Sequence, residues 1–417
     1  MMHTARQLAS LLSGVALLLL GTGLLGTLVP VVGGSLGFSS AVLGALTSAY
    51  FVGFLAGTFV IAALVRRIGH IRAFAFCATA CACLVLLLSL TSSPWAWLGL
   101  RLGIGMGTVG LYTVIESWLN SQAQDGQRSS VFATYMVVNL GSLALAQQFL
   151  HIRVARDSTL FVLATLLVCA STLPVLATRM RQPDLTPTPR LRLRRLYQLA
   201  PSAAIGALIS GLVMGAMWGL APVYAGSIGL DADRIGNWMS LLILGGAALQ
   251  WPMGRLSDRH DRRFMLLLAS ILGAVTAALL PISAGHPWLA HGLLFVFGGM
   301  AFALYPIAVA HLLDYVPGEE LLGASSSVLL LNGIGAAIGP LLAGLVMNRL
   351  GPAWLFAWCT ACMITAALFI GQRLLVMRRV QDDTPNFQPM LRTSPAALEM
   401  HPAMEDAEPE VMRADEH

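Results

Sequence analysis

Residues 241–279 read LLILGGAALQWPMGRLSDRHDRRFMLLLASILGAVTAAL, two apolar runs joined by a knot of charge. From Arg255 to Arg263 the chain holds four arginines, two aspartates and one histidine, and the flanking runs hold no charge at all. A helix at a protein surface keeps one polar face along its length. These runs are apolar all round and too long for strands. A helix rises 1.5 Å per residue and the hydrocarbon of a bilayer is about 30 Å thick, so about 20 such residues cross it. The stretch therefore predicts a membrane helix, a short charged loop and a second membrane helix.

The same pattern recurs along the chain. Twelve spans are expected, at 8–32, 41–65, 73–92, 95–119, 129–150, 159–178, 199–225, 235–255, 264–284, 288–313, 323–347 and 353–376. Of the 417 residues, 57% are hydrophobic and 11% charged, where a soluble domain carries about 25% charged residues. A soluble chain this apolar would expose large adhesive patches. In lipid only helices and closed barrels satisfy their own backbone groups, and the runs lack strand alternation. The fold class is thus all-α integral membrane. The run Leu8 to Leu28 reads as the first span, not as a secretory signal, because it exceeds a typical signal core and no A-x-A site ends it.

Charge placement predicts orientation. All 25 basic residues are arginine. With the N-terminus inside, twenty fall in cytoplasmic segments, four (Arg153, Arg156, Arg234, Arg349) fall outside, and Arg101 lies within a span. Cytoplasmic loops are the ones enriched in Arg and Lys, so both termini of this multi-pass protein are expected in the cytoplasm. The net charge of +5 forms no contiguous basic face with interleaved aromatics, which excludes a nucleic-acid partner. The six cysteines all sit in apolar runs and read as small packing residues. No metal, cofactor or disulfide framework is expected. H-E-x-x-H and Walker A sequences are absent, so neither a metalloprotease-type enzyme nor direct ATP drive is indicated.

The segment 179–198 carries six arginines with Pro183, Pro187 and Pro189. It divides the chain into an N-terminal six-helix bundle (1–178) and a C-terminal one (199–378), followed by an acidic tail (379–417) expected to be disordered. The halves correspond at an offset of 192–193 residues: Pro30 with Pro222, Gly105 with Gly298, Tyr112 with Tyr305, Asn139 with Asn332. Duplicated halves around a midplane site are the architecture of transporters that rock one half against the other.

With these residues in view, Gly254-Arg-Leu-Ser-Asp258-Arg259-His-Asp261-Arg262-Arg263 resembles the major facilitator superfamily signature G-x-L-x-D-R-x-G-R-R, with Asp261 where a glycine is usual. A degenerate copy follows span 2, where Arg66 replaces the aspartate while Arg67 and Gly69 remain. Arg101-x-x-x-Gly105-x-Gly107 resembles the R-x-x-x-G-x-G motif of span 4, and Gly335–Gly344 is a Gly-Pro helix motif in span 11. Span 5 lacks that motif, which counts against a drug-antiporter reading. The phrases 111–120, 250–255 and 304–308 look most like the bacterial YcaD-type branch. The resemblance implies two pseudo-symmetric six-helix bundles and secondary transport of a small solute.

Candidate site residues follow from polarity inside spans. The cavity candidates are Thr27, Tyr50, Arg101, Tyr112, Tyr135, Asn139, Trp218, Tyr224, Asn237, Trp238, Tyr305 and Asn332. A charge in a span costs about 2.5–3.5 kcal/mol or more unless it meets water or a partner. Arg101 therefore reads either as an anion or proton group in a cavity or as a tie between helices. Glu116 reads either as a proton carrier or as a cytoplasmic gate residue paired with loop arginines. The gate and motif set is Arg66, Arg67, Gly69, Glu116, Gly254, Asp258, Arg259, Arg262 and Arg263. The expected partners are the bilayer, a small solute and protons, with the chain acting as a monomer. Two alternatives stand beside transport: a membrane sensor or scaffold on the same fold, and an intramembrane enzyme.

Overall fold

A computed structural model describes residues 2–122, 128–152, 158–177, 193–316 and 320–376. Most of the predicted linker, the acidic tail, Arg153 and Arg156 lie outside the described residues. All twelve expected spans are helices: α1 (Met2–Ser35), α2 (Ser40–Ile68), α3 (His70–Ser89), α4 (Pro94–Gln122), α5 (Arg128–Ala146), α6 (Ser158–Ala170), α7 (Pro201–Ser227), α8 (Ala232–Arg259), α9 (Arg262–Leu279), α10 (Pro287–Leu313), α11 (Leu321–Leu350) and α12 (Trp354–Val376). Ten described helices are long and apolar enough to cross a membrane. The other two are α5 and α8. The ends of α8 carry Asp233, Arg234, Asp258 and Arg259, which dilute its apolar centre. Two spans end differently from expectation: α5 tightens into a 3-10 turn, Gln147–His151, and α6 breaks at Ser171 before a short helix, Thr172–Leu176.

Helix contacts repeat between the halves. Helix α2 packs on α4 as α8 packs on α10; α1 on α5 as α7 on α11; α3 on α6 as α9 on α12. Without a hydrophobic force between helices in lipid, close packing of small residues holds such pairs. A Cβ on Gly53 would meet the Leu102 carbonyl, and one on Gly105 the Tyr50 carbonyl. In the second half Gly245 lies on the Phe295 carbonyl and Gly298 on that of Leu242. The turns repeat as well. Gly37 after α1 and Gly229 after α7 take φ of +80° and +84°, the left-handed region glycine enters without penalty.

Between the halves, contacts gather at one end of the molecule, opposite the two motif loops. Gly44 of α2 sits against the Pro340 carbonyl of α11, and Gly344 against that of Ser40. The Leu341 N–H donates to Ser48 Oγ at 3.0 Å. The pseudo-equivalent contact joins α5 and its 3-10 turn to α8. There Gln148 Nε2 donates to Ser240 Oγ at 2.7 Å, and Ser240 Oγ donates to the Ala144 carbonyl at 2.9 Å.

Candidate functional site

A cavity of about 260 Å³ lies between the halves, lined from α1, α2, α4, α5, α7, α10 and α11. Each helix contributes one stripe. On α4 the stripe is Arg101, Ile104, Thr108 and Tyr112, and on α2 it runs from Thr47 through Tyr50, Phe54 and Leu55 to Thr58. These spacings of three and four place side chains on one helical face. The opposite wall is Met214 and Trp218 of α7, Phe302 of α10, and Ser326, Leu329 and Asn332 of α11. The lining reaches Thr58, Tyr112 and Ser326, toward the motif end, and the inter-half seal closes the other end.

Arg101 is the only charged residue among the lining and is 5% exposed. Its guanidinium carbon lies 4.6 Å from the centre of the Tyr50 ring, a cation–π contact. Tyr50, Phe54 and Tyr112 continue as an aromatic chain with 6.2 Å between successive rings. Among the described residues no carboxylate pairs with Arg101. Its Nε has no hydrogen-bond partner, and neither do Asn139 Nδ2 or Ser326 Oγ. Leaving a buried donor unpaired costs about 1–3 kcal/mol. Three such groups around one cavity mark a site that is not satisfied by the protein alone. Asn332, by contrast, uses its amide to donate to the Ala207 carbonyl at 3.0 Å, tying α11 to α7.

Of the twelve cavity candidates, the structure brings Tyr50, Arg101, Tyr112, Asn139, Trp218 and Asn332 together. The other six lie outside this cavity. Thr27 donates to Gln147 Oε1 at 2.5 Å, joining α1 to the end of α5. Tyr224 and Trp238 pack around Phe356, with Tyr224 4.8 Å from its ring centre. Tyr305 is buried within the second half, and Asn237 is exposed. Tyr135 donates to Glu116 Oε1 at 2.7 Å, and Glu116 is fully buried between α4 and α5. It sits one turn beyond Tyr112 of the cavity wall. Sequence reasoning missed Thr22, Thr47, Thr58, Thr108 and Ser326. Thr108 was within reach, because it follows Arg101 by two helical turns on the same face.

The motif loops are built differently in the two halves. After α2, Gly69 takes φ +80° and caps the helix, its N–H donating to the Val65 carbonyl, while Arg66 and Arg67 are exposed. After α8, Asp261 has φ −56°, so no glycine is needed there. Instead its carboxylate caps α9, accepting from the Arg263 N–H at 2.8 Å, and holds the Arg263 guanidinium at 2.8 Å. Burial acts to raise the Asp261 carboxyl, but the bonds from Arg263 outweigh it and hold the group below its usual range. Arg262 reaches Asp258 at 3.8 Å and Asp314 at 3.4 Å, bracing α9 against α8 and α10. Burial pushes the Asp314 carboxyl up to about 7 against the attraction of Arg262, with Asp261 and Asp258 adding to the rise. Gly254 is buried in α8, and Arg259 projects from its end into solvent.

The Major Facilitator Superfamily model matches residues 11–192 and 203–403. The MFS-type transporter YcaD of Escherichia fergusonii is 30% identical over 386 residues, which cover 91% of this chain and 97% of its own. YcaD of Salmonella typhimurium is 30% identical over 392 residues, with the same coverage. Among solved structures, the nucleoside transporter NupG superposes with a TM-score of 0.74 at 14% identity, covering 91% of this chain and all of that one. A bacterial homologue of the lysosomal transporter Spinster, inward-facing and occupied, gives 0.71 at 13% identity over 97% of each chain. At those identities the structural likeness is one of fold.

Proposed function

The chain belongs to the Major Facilitator Superfamily, and on that premise we propose that it carries a small solute across the bacterial inner membrane by rocking its two six-helix halves about the shared cavity. The observation that carries this reading is the placement of the cavity. Both halves line it, and among the described residues the contacts between them run from one end, at Gly44 and Pro340, to the middle of the helices, at Leu55 and Gly333. A cavity sealed at one end is half of an alternating-access cycle. With the arginine-rich loops and both termini in the cytoplasm, the sealed end faces outward and the molecule is inward-facing. The chain works as a monomer, because its transport path lies within one copy.

The energy source is a solute or proton gradient. Glu116 is the proton carrier in this scheme: it is a buried carboxylate within a span, bonded to Tyr135 and one turn from the cavity wall. Glu116→Gln in proteoliposomes abolishes proton-driven flux and leaves solute exchange intact. Full proton-driven flux in that variant removes Glu116 from the mechanism. The same assay separates transport from the sensor reading, under which no solute moves. The enzyme alternative falls with the family, whose members are transporters.

A further inference from the structure

We propose that the solute is an aromatic monocarboxylate, held with its carboxylate at Arg101 and its ring against the second half. The proposal deepens the transport reading and rests on it, since the cavity must be the solute site. Three observations converge. First, the lining holds one cation and no anion, so a single negative charge balances it. Arg101 has no carboxylate partner among the described residues, and a guanidinium presents a planar fork that matches a carboxylate. Second, the groups left without partners, Arg101 Nε, Asn139 Nδ2 and Ser326 Oγ, are all able to donate, and each residue is 5% exposed or less. They stand on α4, α5 and α11, around the cavity. A ligand rich in acceptors satisfies them; an ammonium ligand brings donors to donors.

Third, charge and aromatic surface are segregated. The cation is on the first half beside Tyr50, and the lining contributed by the second half is uncharged. There Trp218 and Phe302 meet edge to face, 6.3 Å between ring centres, with Met214 beside Trp218. Flat apolar walls of this kind favour a ring. The volume of about 260 Å³ admits a compact molecule, being smaller than the roughly 300–1,000 Å³ of pockets that take drug-sized ligands.

The test compares three probes of one shape and different charge: phenylacetate, phenylacetamide and 2-phenylethylammonium. Purified full-length protein is assayed by thermal shift and by flux in proteoliposomes. Phenylacetate is expected to bind and move best. Arg101→Gln is expected to weaken phenylacetate by about 30-fold or more, while phenylacetamide changes less than about threefold, which also reports that the variant is folded. If Arg101→Gln fails to fold, Ser326→Ala supplies the same comparison from the other half, with a several-fold loss for the anion over the amide. Preference for the amide or the ammonium, or an anion preference that survives both substitutions, overturns the proposal and leaves the transporter reading standing. Absence of a phenylacetate shift overturns it as well. Binding of phenylacetate with no flux of any probe supports the site and refutes transport.

Discussion

Gly44→Ala tests whether the seal between α2 and α11 is a gate. The new methyl group would meet the Pro340 carbonyl oxygen and carbon and the Gly344 Cα, all backbone atoms of α11 that no side-chain rotation can move aside. Overpacking of this kind costs about 1–3 kcal/mol. If the seal is a gate, the contact exists only while that end is closed, and the cost falls on that state alone. A bias of about 2 kcal/mol changes the ratio of two conformations by about 30-fold, enough to exchange major and minor states that differ by a few kcal/mol. Gly53→Ala is the control. It brings a methyl group onto the Leu102 carbonyl, but within the first half, so its cost is shared by every state. Hydrogen–deuterium exchange reads the outcome in peptides covering the start of α2 and the end of α11. Gly44→Ala is expected to speed exchange there with little loss of melting temperature. Gly53→Ala is expected to lower the melting temperature and leave the seal peptides unchanged. If the two variants behave alike, the seal is ordinary packing and the gate reasoning fails.

Two further expectations concern the motif loop, and they have opposite signs. Asp314 has its carboxyl raised to about 7 by burial; the stability tied to that shift is fully present below its unfolded value near 4 and is lost as pH rises through 7. Melting curves from pH 4 to 8 should therefore fall more steeply for the wild type than for Asp314→Asn, and parallel curves would contradict the assignment. Asp261 is held low by Arg263, so its stabilisation is present above pH 4 and disappears on acidification. Asp261→Ala should cost about 1 kcal/mol through the lost cap near neutral pH, with the deficit closing at low pH; a deficit that persists there assigns the effect to packing.

The helices were legible because the bilayer imposes one strong rule, an apolar run of fixed length for each crossing. The repeat was legible from a few matches at one offset, and one of them, Gly105 with Gly298, marks a backbone contact made in both halves. Gly53 with Gly105 and Gly245 with Gly298 report the same contact twice. The cavity was only half legible, for a physical reason. A polar or aromatic side chain inside a span must find a partner, and it can do so at a cavity wall or at a helix contact. Thr27 and Tyr135 found theirs between helices, on Gln147 and Glu116. Most of the wall is apolar, as at Phe54, Leu55 and Leu329, and nothing in the composition of a stripe separates such a wall from a lipid-facing surface. The stripe through Arg101, Thr108 and Tyr112 was the readable exception, since a costly charge marks its face.

Under the proposed alternating access and anion binding, Arg101 also makes the carrier sensitive to voltage. A fixed charge in a cavity that opens by turns to either side experiences the potential of whichever side it faces. One elementary charge is worth about 2.3 kcal/mol per 100 mV, so a negative interior draws the empty cavity inward. Binding an anion cancels that charge and frees the loaded carrier from the field. In that scheme the membrane potential acts on the empty return step, and the resting membrane itself would hold the vacant protein with its seal shut.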